Sequence, residues 1–172
     1  MFSLPLGPPS TRMGWSLTSL STTPDVPMPT TLSHNLRDSE IGRIIAVIKG
    51  FISSLNAKDT SEFEKYCVRA GGMSLRPPAP TMPRFCTIGA FVEYTAKLDH
   101  EINERILDAE VKVNEEGNLA AVWAPFRAKV NGVVNHVGVE LFILHKLNGG
   151  WKVTALADSC RRPTEEEKIL LL

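Results

Sequence analysis

Two hydrophobic periods divide this chain. After Asp38-Ser39, the apolar positions Ile41, Ile44, Ile45, Ile48, Ile52 and Leu55 recur at helical spacing and form one stripe. Gly50 interrupts that helix and weakens it by about 1 kcal/mol relative to Ala, so packing must hold it. Asp59 or Thr60 caps a short second helix running through Tyr66. A third opens at the N-cap Thr87, runs to about His100, and presents Ile88, Phe91, Val92 and Leu98. Between the second and third lie Gly71-Gly72 and Pro77, Pro78, Pro80 and Pro83, which predict a short strand near Met73–Leu75 followed by a long loop.

From Glu104 to Ser159 the period falls to two, which predicts four antiparallel strands. Asn131-Gly132 is a type I′ hairpin signal, and Asn148-Gly149-Gly150 marks a second tight turn. A two-residue turn at Asn131-Gly132 sets Val130 opposite Val133. By arithmetic, Arg127 then faces His136, Pro125 faces Gly138, Trp123 faces Glu140, and Ala121 faces Phe142. Setting Lys146 opposite Trp151 adds Val153, Ala155, Ala157 and Ser159 to that face, and the Asn114–Asn118 turn adds Leu107, Ala109, Val111 and Val113. The other face receives Val122, Ala124, Val139, Leu141, Ile143, Leu156 and Asp158. On the first face the polar groups stand out: Arg127, His136 and Glu140, beside the aromatic Trp123 and Phe142.

Three helices followed by such a sheet predict an α+β cone, a strongly curved, mainly antiparallel sheet with N-terminal helices packed on it. The domain is expected over residues 37–163 with a short tail at 164–172. Residues 1–36 are rich in Pro, Ser and Thr and read as a disordered arm, with an organelle presequence as the alternative. With 172 residues, 43% hydrophobic, one domain can bury a sizeable core. Nineteen basic residues balance nineteen acidic ones, so no electrostatic footprint for nucleic acid or an anionic membrane is expected, and no apolar run reaches a membrane span. Cys67, Cys86 and Cys160 have no metal spacing and form no even set, which predicts a reducing, cytoplasmic setting with no metal and no cofactor.

The order of elements, with VWAPF, then NG, then NHVGVELFILHK, then GGWKVTALADSCRR, resembles the nuclear transport factor 2-like superfamily. Within it the chain is most similar to SnoaL-like and lumazine-binding-like proteins, over about Ser39 to Arg162. The resemblance implies a cone with an internal pocket and a homodimer formed through the outer sheet face. The superfamily includes ketosteroid isomerase, scytalone dehydratase and polyketide cyclases alongside non-catalytic binding modules. The match falls on Trp123, His136, Gly138, Glu140, Phe142 and Trp151.

These residues define two functional readings. In one, the cone binds a small, largely apolar, cyclic molecule and performs cofactor-independent isomerisation, dehydration or cyclisation. His136 and Glu140 are then acid and base, and Arg127 stabilises developing negative charge. A carboxyl at position 140, among apolar neighbours, should have a raised pKa, and Arg127 should lower that of His136. Trp123 and Phe142 would stack on the ligand, with Tyr66 and Tyr94 reaching it from the helices. In the other reading the same fold is a ligand-binding or dimerisation module without chemistry. The homodimer is expected through Val122, Ala124, Val139, Leu141, Ile143 and Leu156, which would otherwise expose an apolar patch.

Overall fold

The computed structural model describes residues 30–148 and 150–171. Most of the arm expected over residues 1–36 lies outside them, but helix α1 (Thr30–Ala57) begins inside that span, earlier than Asp38. Then follow α2 (Thr60–Phe63), β1 (Cys67–Leu75), β2 (Arg84–Thr87), α3 (Ile88–Ala96), β3 (Ile102–Ile106), β4 (Glu110–Val113), β5 (Leu119–Val130), β6 (Val133–Leu147), β7 (Gly150–Arg161) and α4 (Glu165–Leu170). The caps form as expected. Asp59 accepts from the backbone N–H groups of Ser61 and Glu62, and Thr87 from that of Ala90. The tail is a helix turn held by a Thr164–Glu167 capping box and by Arg161, whose guanidinium grips Glu167.

One seven-stranded sheet runs β2-β1-β7-β6-β5-β3, with β4 also paired to β5. Only β1–β7 is parallel. β2 and the first half of β1 lie where the Gly and Pro residues predict loop, so pairing of β2 with β1 and of β1 with β7 overrides the local signal there. The strand expected from Glu104 to Val113 divides into β3 and β4, and Pro125 explains the break. Its carbonyl accepts from Leu107, so the N–H it lacks would point the same way, toward the strand that divides.

The isoleucine stripe of α1 lies under the sheet, with Ile44, Ile48, Ile52 and Leu55 buried. Phe51 stands edge-on to Phe63 and Phe142 at 5.1 and 6.0 Å between ring centres. Gly50 is a notch against which Tyr66 packs; a Cβ there would come within 2.3 Å of the Tyr66 ring. At the β3 edge, Asn56 imitates a neighbouring strand. Its amide donates to the Glu104 carbonyl at 2.9 Å and accepts from the Glu104 N–H at 2.7 Å.

The Asn131-Gly132 turn forms, and the strands flanking the second turn pair as expected, although its Gly149 lies outside the described residues. Val130 pairs with Val133, and Lys146 with Trp151. The faces nevertheless differ from expectation, because each hairpin carries a one-residue bulge. On β6, Lys129 pairs with Val134 but Ala128 with His136, leaving Asn135 over. On β7, Leu144 pairs with Val153 but Ile143 with Ala155, leaving Thr154 over. A one-residue slip carries every later side chain to the opposite face. Trp123 therefore pairs with Leu141, and Glu140 with Ala124 and Asp158. The inner face holds Ala120, Val122, Ala124, Phe126 and Ala128 of β5 with His136, Gly138, Glu140, Phe142 and Leu144 of β6. Trp123, Pro125, Arg127, Val139, Leu141, Ile143, Ala155 and Ala157 lie outside.

Candidate functional site

The inner face of the sheet carries a row of acids. Glu104 of β3 lies opposite Ala128, and Glu140 of β6 lies between Ala124 and Asp158 of β7. The small alanines leave room for the carboxyl groups that their bulkier apolar neighbours would fill. Glu140 is only 5% exposed. Its Oε2 and the Oε1 of Glu104 are both buried without a hydrogen-bond partner. Leaving such an atom unpaired costs roughly 1–3 kcal/mol. Asp158 is better served: its Oδ1 accepts the Arg76 N–H at 2.5 Å.

Burial pushes the Glu104 carboxyl up to about 8, helped by the charge of Asp158. Burial also raises Glu140 well above the usual carboxylate range, with Glu104 and Asp158 adding to the effect. Asp158 is raised by burial, partly offset by the Arg76 N–H. Three like groups confined together in a poorly solvated space all hold their protons more tightly than surface carboxyls do. The half-buried Cys160 thiol beside them is pushed up to about 12 by burial and by the same acids, which disfavours its thiolate at neutral pH. Among the described residues no group of three or more His, Cys, Asp or Glu side chains is arranged to hold a metal ion.

Solvent approaches this row from one side. A cleft of about 530 Å³ runs between α1 and the β3–β4 edge. Ile45, Ile48, Ile52 and Ile106 form its apolar wall, Ser53 and Asn56 its polar patch, and Lys49 and Arg105 contribute cations; Glu104 also lines it. The Asn56 clasp fixes the spacing between helix and strand at this point.

The expected site residues separate into two groups. Glu140, His136 and Phe142 belong to the inner face. Glu140 has the raised pKa foreseen for it. His136 packs edge-on to Phe126 at 5.8 Å, its Nδ1 lies 3.1 Å from Asn135 Oδ1, and its pKa is lowered by burial and then by Arg162, not by Arg127. Phe142 is core, filled in by Phe51. Trp123 and Arg127 are on the outside of the sheet, carried there by the Asn135 bulge. Tyr66 is committed to the Gly50 notch. Tyr94, 53% exposed, lies under the Arg84 guanidinium in a separate groove with Phe85. Asp158 and Glu104 are the acids that sequence reasoning missed. A signal for them existed: Trp123 shares its parity along β5 with the cations Arg127 and Lys129, whereas Ala120, Val122, Ala124 and Phe126 form a wholly apolar row.

No protein-family model matches the chain, and no curated protein matches it. Solved structures do. A protein of unknown function from Mycobacterium tuberculosis is 15% identical, with a TM-score of 0.63 over 79% of each chain. A candidate scytalone dehydratase from Novosphingobium aromaticivorans is 14% identical, with a TM-score of 0.62 over 77% of this chain and 91% of its own. A candidate dehydratase of the nuclear transport factor 2-like family from Streptomyces avermitilis is 16% identical, with a TM-score of 0.57 over 72% and 96%. The architecture is thus an α+β cone built on a curved, unclosed sheet. It is the nuclear transport factor 2-like fold, as the sequence resemblance implied.

Proposed function

We propose that this protein binds a small, largely apolar, cyclic molecule in the α1–β3 cleft and moves a proton on it without a cofactor, in an isomerisation, dehydration or cyclisation. The observation that carries this reading is the pair of buried, unpartnered carboxyl oxygens on Glu104 and Glu140. Glu104 lines the cleft and is the group that meets the ligand. Burial, helped by the charge of Asp158, raises its pKa toward the operating pH, where a general acid–base is most effective, and Glu140 sits behind it as a positioning residue. The naming of two structural neighbours as candidate dehydratases agrees with this chemistry. The alternative, a binding module without chemistry, draws support from Phe51, Phe63 and Phe142, which fill the deeper cone.

A panel of cyclic enones and cyclic β-hydroxyketones, followed by absorbance of the conjugated system and by calorimetric binding, tests the reading. Turnover should fall at least 100-fold in Glu104→Gln with affinity nearly kept. Asp158→Asn should instead move the pH–rate profile to lower pH, since it removes the neighbouring charge that helps to raise Glu104. Binding without turnover in the wild type would favour the module, and no binding by any member of the panel would remove the cleft from consideration.

We also propose a homodimer through the outer sheet face, keeping Val139, Leu141 and Ile143 of the residues first expected. Val122, Ala124 and Leu156 are core. Trp123, Leu141, Val139, Ile143 and Ala157 form the outer apolar surface, and Trp123 is 53% exposed on it. A C2 pair would bury this patch on both copies. Sedimentation should show a dimer at micromolar concentration and a monomer for Trp123→Glu. A monomeric wild type would end this proposal.

A further inference from the structure

The outer face holds a second polar feature, whose Arg105 also borders the α1–β3 cleft. Arg105 and Arg127 are Cα partners across the β3–β5 ladder. Like charges placed directly opposite one another repel, and here one of them is also buried: Arg127 is only 8% exposed. Its Nη1 donates to the Asn103 carbonyl and side-chain oxygens at 2.8 and 2.6 Å. Both acceptors are neutral. The Nε and Nη2 donors of Arg127 meet no acceptor among the described residues, and Arg105 makes no ion pair there. Lys129 shares the face two positions along β5, also without an ion pair. Burial and Arg105 both lower the pKa of Arg127, and no carboxylate offsets them. A guanidinium this buried is normally paired with an anion.

We propose that Arg105 and Arg127 form a site for a small oxyanion, a phosphate or a carboxylate group. The Asn103 contacts fix the Arg127 fork, leaving its second edge free for bidentate binding, while Arg105 closes over the anion from the neighbouring strand. Binding there relieves a repulsion already built into the sheet.

Thermal unfolding of the full chain tests this with inorganic phosphate, acetate and chloride at matched ionic strength. At ten times its Kd, phosphate or acetate should raise the midpoint by about 3–5 °C above chloride. The shift should vanish in Arg105→Ala. Arg105→Glu supplies a carboxylate opposite Arg127 and should raise the midpoint without added anion while abolishing the phosphate effect. The two anion arms then tell which oxyanion the site prefers. An equal rise in chloride would mean screening alone and would overturn the site. So would a phosphate shift that survives in Arg105→Ala, or an Arg105→Glu protein that melts lower than the wild type.

Discussion

Between pH 6.5 and 8 the wild-type protein loses stability steadily, and Glu140→Gln loses much less. The sign follows from the acid row. Glu104 and Glu140 keep their protons in the folded chain at pH values where the unfolded chain has released them. The native state therefore binds more protons, and unfolding becomes easier as pH rises. Each such group contributes about 1.4 kcal/mol per pH unit until its folded-state pKa is reached. That stability is fully present below the ordinary carboxylate range and is lost on the way up to about 8 for Glu104, and as pH rises through the raised pKa of Glu140. The window is chosen to isolate the effect. Glu40 and Glu167, whose pKa values are lowered by hydrogen bonds from Trp151 and Arg161, act in the opposite sense only in acid. His136, lowered by burial, opposes the trend only below its ordinary value. Urea midpoints at four pH values for wild type and Glu140→Gln suffice. Parallel curves would show that Glu140 does not hold a proton in the folded chain.

Gly138→Ala should cost about 3 kcal/mol or more, a large effect for one methyl group. The added Cβ would stand 2.3 Å from the Ser159 carbonyl oxygen and 2.7 Å from the Cys160 Cα. These are backbone atoms of the neighbouring strand, so β6 and β7 must part beside Asp158 or the sheet must shift. Gly72→Ala is the control: nothing lies within 4 Å of its Cβ, and stability should be kept or rise slightly. Chemical denaturation of both variants checks the pair, and equal stabilities would mean that β7 yields without cost.

The cone was legible in the sequence because its determinants are local. The α1 stripe, the Asp59 and Thr87 caps and the Asn131-Gly132 turn each act within a few residues, and each forms as read. The site was only half legible because its determinants are not local. Glu140 was recognised from its apolar neighbours in the chain. Its spatial neighbours depend on Asn135 and Thr154, and neither looks unusual in sequence. Asn135 becomes a bulge because Arg162, far along the chain, donates to both its carbonyl and side-chain oxygens. Thr154 is held by a bond from its hydroxyl to the Ile143 carbonyl and by His145. β6 itself gives no warning, since large apolar residues occupy both of its parities from Val137 to Leu144. Turn chemistry set the start of each register correctly and could not see the slip further along.

The Asn56 clasp has a consequence for how copies of this protein can add to one another. A sheet that grows into a filament needs an open edge at both ends, since each newcomer must offer a fresh template. At one end, Asn56 already occupies the outward N–H and carbonyl of Glu104, and the adjoining β4 is four residues long with Glu110 and Lys112 in it. The other end is β2, equally short and opened by Arg84. With one end stoppered by a side-chain amide, strand-to-strand addition stops after a single step, and the chain is guarded against polymerising through the sheet on which its cleft is built.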